Sequence, residues 1–174
     1  MIDYDGIIKN LMAEVELRLP RKRKAHTENV MAKSLEMAGV YGGDRNKIRV
    51  MALAHDLFRD KDIKGNALTH GPMAADYVRD KYGIDDEEIL NGIRYHTTGC
   101  RDMGLNGKII FLADAIEKDR DYAGVESIRK ETEKGLDFGV RMSLLNTVEH
   151  LKEKGRQIDS NTLEALASIE EQSG

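Results

Sequence analysis

The chain has 174 residues, 40% of them hydrophobic and 33% charged, which is typical of a folded domain rather than a disordered segment. A net charge of −4 excludes a generally basic surface for nucleic acid, and no apolar run is long enough to span a membrane. The single cysteine, Cys100, cannot form an internal disulfide, and the first residues lack the apolar core of a signal peptide. We therefore expect a cytoplasmic protein with a single domain over residues 1–174.

Apolar residues recur at helical spacing along the chain, and only two prolines interrupt them. The predicted helices cover 5–18, 24–41, a third segment from about Ile48 to His55, a fourth from His70 to Gly83, a fifth capped by Asp85, then 107–118, 125–134, 136–154 and a last one opened by a capping box at 161–164. Residues 59–69 and 97–106 are predicted loops. No segment has the alternation of a convincing strand, so the sequence predicts an all-α bundle of about eight or nine helices.

Four of the five histidines occupy buried or helix-entry positions in this arrangement. Three of them, His26, His55 and His96, continue apolar stripes, whereas His70 opens a helix beside Gly71-Pro72. The fifth, His150, falls on a helix near the C-terminus and is interpreted as structural or surface. A lone histidine on an apolar face is more often a hydrogen-bonded core residue than a ligand.

Two aspartates favour a metal site over this structural interpretation. Asp56 directly follows His55, and Asp114 lies four residues after Ile110 on the inner face of its helix. Four inward histidines and two inward aspartates would each need a buried partner, and a shared metal centre satisfies all six at once. Imidazole and carboxylate ligands without a thiolate suit iron, manganese or another first-row ion. Six ligands exceed what one catalytic ion with open positions uses, so two divalent or trivalent ions are expected.

The order of these residues resembles the HD-domain metal-dependent phosphohydrolases, and within them the bacterial YqeK-type symmetrical diadenosine tetraphosphate hydrolases. The matching stretches are His26-Thr27, LAHDLFR (53–59), THGPMAADYV (69–78), EEILNGIRYHTTG (87–99) and KIIFLADAIEKDRDYAGVESIRK (108–130). They lie within a core of about residues 24–150. The HGP and YHTTG segments are far more specific than the His-Asp pair alone.

The resemblance implies an HD-domain helical bundle with two metal ions, usually iron. The implied ligands are His26, His55 and Asp114 for one ion, His70 and His96 for the other, and Asp56 as the bridge between them. A hydroxide shared by the ions would attack a phosphoryl group and cut diadenosine tetraphosphate symmetrically into two ADP. Asp56 is thereby implied to be catalytic as well as metal-binding.

Further residues are implied to bind the phosphates of the substrate. Arg59, which stands where the family usually has lysine, would act in catalysis and in phosphate binding, and Arg120 would be a second cation. The hydroxyl and backbone donors would come from Thr97, Thr98 and Gly99. Glu117 would orient Arg120 or a metal-bound water rather than bind metal.

Some questions stay open at the level of sequence. The same centre would also suit a nucleoside monophosphate, a guanosine polyphosphate alarmone or a cyclic dinucleotide, and a non-catalytic HD module would sense a nucleotide without cutting it. Cys100 replaces a basic residue common after TTG in the family, which leaves the substrate preference undecided. The basic run Arg21–Lys24 is interpreted as a solvated helix entry, or as a cationic lip for a polyanionic ligand. The identity of the metal, and whether the protein forms a homodimer, are also left undecided.

Overall fold

The computed structural model describes residues 1–61 and 68–173. Over these ranges the chain forms nine α-helices and one short 3-10 helix, Arg59–Lys61, with no strand, which confirms the all-α prediction. The α-helices are α1 Tyr4–Arg18, α2 Arg21–Tyr41, α3 Arg45–Ala54, α4 His70–Tyr82, α5 Glu87–Arg94, α6 Leu105–Ile116, α7 Val125–Lys134, α8 Leu136–Glu153 and α9 Ser160–Ser173. The predicted loop 59–69 therefore begins as a 3-10 turn, and its residues 62–67 lie outside the described ranges.

Several helix starts differ from the sequence-based prediction, α6 among them, which begins at Leu105 inside the predicted loop 97–106, and three of them have a local cause. The second helix begins at Arg21 rather than at Lys24, because Pro20 provides its N-cap with an extended backbone. The side chain of Asp86, not of Asp85, accepts hydrogen bonds from the first amides of α5. Asp159 likewise accepts from the amide of Asn161, so the last helix begins before the predicted capping box.

The core is built around α3 and α6, whose inner residues are almost completely buried. α3 packs against α1, α2 and α5, and α6 packs against α2, α5 and α8. Every residue from Val50 to Ala54 is buried, as is every residue from Ile109 to Ala113. Because these two helices have no polar face at that point, any polar side chain at their inner ends must be satisfied inside the protein. None of the helices in the described ranges has both the length and the apolar character needed to cross a membrane.

A buried carboxylate connects α1 to α4. Glu14 accepts hydrogen bonds from the hydroxyls of Tyr77 and Tyr82, at 2.6 and 2.5 Å, and from Nζ of Lys81 at 2.6 Å. These bonds and the charge of Lys81 outweigh the effect of burial, so the pKa of Glu14 is lowered. The contact fixes the body of α4, and thereby the direction in which its first residue, His70, enters the core.

Candidate metal centre

The six predicted ligands converge where five helices meet. His26 lies on α2, His55 and Asp56 directly follow α3, and Asp114 lies on α6. His70 begins α4 and His96 follows the end of α5. All except Asp114 are buried, and the side chain of Asp114 is only 17% exposed. Their ligand atoms form three overlapping groups, each within 4.8 Å: His26, His55 and Asp56; His55, His96 and Asp114; and Asp56, His70 and His96.

The two carboxylate oxygens of Asp56 face different histidines. Oδ1 lies 3.2 Å from Nε2 of His70 and 3.5 Å from Nε2 of His96. Oδ2 lies 3.7 Å from Nε2 of His26 and 3.8 Å from Nε2 of His55. Burial raises the pKa of Asp56, but the surrounding histidines outweigh it and hold that pKa well below its usual range. The carboxylate is therefore ionised and presents one oxygen to each pair of imidazoles.

His55 is prepared to act as a ligand by its own backbone. Its Nδ1 donates to the carbonyl oxygen of Ala52 at 2.7 Å, so Nε2 carries the lone pair and points into the cluster. That Nε2 is buried and has no hydrogen-bond partner among the described residues. Complete burial is the main reason that the pKa of His55 falls to about 4, and the ring is neutral at pH 7. A buried, neutral nitrogen without a partner beside two carboxylates fits a metal ion.

The second pair of histidines is His70 and His96, and His96 is oriented by its backbone as His55 is. Nδ1 of His96 donates to the carbonyl oxygen of Ile93 at 2.7 Å, which again turns Nε2 inward. Nε2 of His70 lies 3.0 Å from Nε2 of His96, close to Oδ1 of Asp56. Ligands at about 2.1 Å from an ion and at right angles to each other are separated by about 3 Å. The spacing of these three groups therefore suits one ion.

Glu117 is buried and contacts His26, which extends the role expected from the sequence. Its Oε1 lies 3.2 Å from Nδ1 of His26, while its Oε2 accepts from the amide of Asp119 at 2.8 Å. Because a carboxylate only accepts, Nδ1 of His26 must carry the hydrogen. Nε2 of His26 then faces Oδ1 of Asp114 at 2.9 Å. Carboxylates that hold a histidine in this way fix its orientation and raise its basicity towards a metal.

Substituting Glu117 should therefore weaken metal binding without removing a ligand. We expect Glu117→Ala to lower the affinity for a first-row ion by about 10- to 100-fold, since His26 loses its orienting acceptor. Glu117→Gln keeps an acceptor oxygen at that place and should lose much less. Titration of the metal-free protein with Mn²⁺, alongside circular dichroism as a check of folding, measures the difference. Wild-type affinity in a folded Glu117→Ala protein would refute this role.

Two arginines contact the carboxylates of the cluster, and neither contact was predicted, since Arg120 was expected to bind phosphate. Nη2 of Arg120 donates to Oδ1 of Asp114 at 2.7 Å, and its Nε donates to the backbone carbonyl of the same residue. Nη1 of Arg23 donates to Oδ2 of Asp56 at 3.1 Å. Arg23 was interpreted from the sequence only as part of a basic run. Starting the helix at Arg21 would have placed Arg23 three residues before His26, on the same face.

The turn after α6 is held rigidly by a further arginine. Arg129 donates from Nη2 to the carbonyl oxygens of Glu117 and Arg120, at 2.8 and 3.0 Å, and from Nε to that of Ile116. Three backbone carbonyls at the end of α6 are thereby satisfied by one side chain from α7. Arg129 thus positions the turn that carries Glu117 and Arg120, although it does not contact the cluster itself.

The residues after His96 that were predicted to donate hydrogen bonds to the substrate differ in their exposure and in their hydrogen-bond partners. Thr97 is exposed, but the hydroxyl of buried Thr98 donates to the carbonyl of Gly99 at 2.8 Å. The amide of Gly99, at a positive φ of 70°, donates to the carbonyl of Tyr95 at 2.7 Å. The two donors that Thr98 and Gly99 were expected to offer are thus engaged within the loop. Arg59 starts the 3-10 helix with a half-buried side chain, and its role in catalysis stays a prediction.

Comparison with known proteins adds independent information. The HD domain family matches residues 23–119 of the chain. A protein of Halalkalibacterium halodurans named "Bis(5'-nucleosyl)-tetraphosphatase, symmetrical" is 38% identical and aligns over 86% of this chain and 89% of its own length. A Bacillus subtilis protein of the same name is 32% identical over 87% and 91%. A Clostridium acetobutylicum crystal structure, described as a predicted HD superfamily hydrolase involved in NAD metabolism, has a TM-score of 0.84 and 34% identity over 99% of both chains.

Proposed function

Since the chain belongs to the HD-domain family and is similar in sequence, over most of its length, to proteins named symmetrical bis(5'-nucleosyl)-tetraphosphatases, we propose that it cuts diadenosine tetraphosphate into two ADP. The observation that carries the proposal is the position of Asp56, which presents Oδ1 to His70 and His96 and Oδ2 to His26 and His55. A carboxylate shared in this way suits two metal ions side by side. Guanidinium groups beside the same carboxylates suit a substrate with several phosphates.

We assign the ligands as the resemblance implies. His26, His55 and Asp114 would hold one ion, His70 and His96 would hold the other, and Asp56 would be shared between them. Bound ions lower the pKa of water and so supply a nucleophile near neutral pH. The absence of a thiolate and the mixture of imidazole and carboxylate ligands favour iron, with manganese as the next choice. Elemental analysis of the purified protein is expected to find two first-row ions per chain.

The protein's own cations have a defined task in this reaction. The oxygen of water adds to one inner phosphorus, the bond from that phosphorus to the central bridging oxygen breaks, and the bridging oxygen leaves as a phosphate oxygen of the second ADP. Negative charge on the phosphoryl oxygens rises during this step. Each guanidinium carries five N–H donors, so Arg23 and Arg120 can hold a ligand carboxylate and still offer donors to a phosphate. Arg59 and Thr97 are assigned to the same phosphate-binding role from the resemblance.

A product assay on the purified, metal-loaded protein tests the proposal. Diadenosine tetraphosphate should give two ADP per molecule consumed, whereas ATP plus AMP would show asymmetric cleavage and contradict it. NAD, guanosine tetraphosphate, AMP and a cyclic dinucleotide complete the panel, because the Clostridium relative is described as involved in NAD metabolism and HD centres suit all of these phosphoryl groups. Full metal loading without turnover of any of them would favour a sensing module instead.

A further inference from the structure

A pocket opens directly beside the cluster, between the first turn of α2 and the turn after α6. Its volume of about 420 Å³ lies within the range of small-ligand pockets, roughly 300–1,000 Å³. It shares His26 with the cluster, and its walls include Arg23 and Arg120, which contact Asp56 and Asp114. A ligand whose phosphate reaches the cluster can therefore extend into this pocket.

The walls carry both signs of charge, which is informative about the ligand. Lys22 joins the two arginines on the cationic side, while Asp119 and Asp121 contribute carboxylates. A pocket for inorganic polyphosphate alone would gain nothing from carboxylates, because they repel phosphate. Carboxylates do accept hydrogen bonds from the hydroxyls of a ribose. The mixture therefore fits a molecule with phosphate at one end and a sugar further along.

The same pocket contains an aromatic surface for a base. Tyr122 is 37% exposed and lines the pocket, and its hydroxyl donates to the carbonyl oxygen of Ala115 at 2.7 Å. That bond, together with the anchoring of the turn by Arg129, fixes the ring before any ligand arrives. Aromatic faces held in this way stack on nucleic acid bases of any type.

We propose that this pocket is a nucleoside subsite, in which the purine of one nucleotide half stacks on Tyr122, its ribose hydroxyls meet Asp121, and its phosphates lie against Arg23 and Arg120. The inference rests on the proposed function, because ADP is the product that would occupy the subsite after symmetrical cleavage. It assigns recognition of the base to the turn after α6, and the predicted metal ligands make no contact with the base. Tyr122 thereby becomes a residue that determines affinity for nucleotides over plain phosphates.

Equilibrium binding of ADP and of inorganic tripolyphosphate tests the subsite without depending on turnover. Tyr122→Ala should weaken ADP binding about 10-fold, in the range expected for one stacked base, while its affinity for tripolyphosphate stays within about twofold of the wild type. Tyr122→Phe keeps the ring but loses its hydrogen bond to Ala115, so it should bind ADP more tightly than Tyr122→Ala and within a few-fold of the wild type. Phe138→Ala, which removes an aromatic ring exposed elsewhere on α8, is the matched control and should change neither affinity.

The possible outcomes separate the subsite from the proposed function. Unchanged ADP affinity in Tyr122→Ala, an equal loss for ADP and tripolyphosphate, or no ADP binding by the wild type would each overturn the subsite. If Tyr122→Ala fails to fold, Tyr122→Leu keeps the apolar volume without the ring and should show the same selective loss. A selective loss of ADP binding in a protein that does not cut diadenosine tetraphosphate would leave the subsite standing and refute the hydrolase proposal alone.

Discussion

Asp56→Ala is expected to lose both metal ions and to lower hydrolysis of diadenosine tetraphosphate by at least about 1,000-fold, equivalent to about 4 kcal/mol of activation free energy. The reason is the shared position of this carboxylate, whose two oxygens lie 3.2 to 3.8 Å from four histidines. Removing it leaves each pair of imidazoles without the carboxylate whose two oxygens lie between the pairs. Elemental analysis and ADP formation measure the two losses separately.

The helical fold should survive this substitution, since Asp56 follows the end of α3 and is not part of the apolar core that holds the helices together. Circular dichroism provides that check. Asp80→Ala, which removes an exposed aspartate from α4, is the matched control and should keep both ions and full activity. His70→Ala should retain about one ion per chain, because Nε2 of His70 lies 3.2 Å from Oδ1 of Asp56, the oxygen on the side of the second ion. Two ions or wild-type turnover in Asp56→Ala would exclude the bridging role.

Much of the predicted ligand set can be located from the sequence because most of these residues obey a local rule. His26 and Asp114 lie on the inner faces of long helices, where the period of 3.6 residues determines direction. His55 and His96 extend apolar stripes just past the ends of α3 and α5, and in both cases Nδ1 bonds to a carbonyl three residues earlier. Helical periodicity therefore predicted the inward direction of these four residues, whereas the family resemblance supplied their assignment to individual metal ions. The distances that divide Asp56 between two pairs of histidines depend on how five helices pack, which no local pattern contains.

The residues that were missed or misplaced depend on chain ends and loops. Arg23 was overlooked because the start of α2 was placed at Lys24, which took Arg23 off the face of His26. Thr98 and Gly99 were expected to offer donors, but their loop closes on itself through the carbonyls of Gly99 and Tyr95. Such closure depends on a positive φ at Gly99 and on packing against α8 and α9, and neither can be derived from residue types.

Gly71→Ala is expected to separate the two histidines of the second pair and to lower activity about 100-fold. A Cβ at Gly71 would lie 2.6 Å from the carbonyl oxygen of Arg94 and 3.2 Å from that of Ile93. The added carbon would therefore clash with backbone oxygens where α4 crosses α5. No side chain can rotate away to relieve the clash, and the helices must move apart. Since His70 directly precedes Gly71, and His96 follows Arg94 by two residues, the shift is transmitted to their Nε2–Nε2 distance of 3.0 Å. A misplacement of about 1 Å is enough for a loss of this size.

The same substitution should cost about 1–3 kcal/mol of stability by overpacking, measured by urea unfolding, and should reduce metal content towards one ion per chain. Gly39→Ala is the matched control, because Gly39 is an exposed residue of α2 and nothing lies within 4 Å of an added Cβ. That control should gain about 0.5–1 kcal/mol from the higher helix propensity of alanine and keep full activity. A Gly71→Ala protein with two ions and wild-type turnover would mean that the α4–α5 crossing does not set the spacing of His70 and His96. In that case Asp56 alone would have to hold the second pair in place.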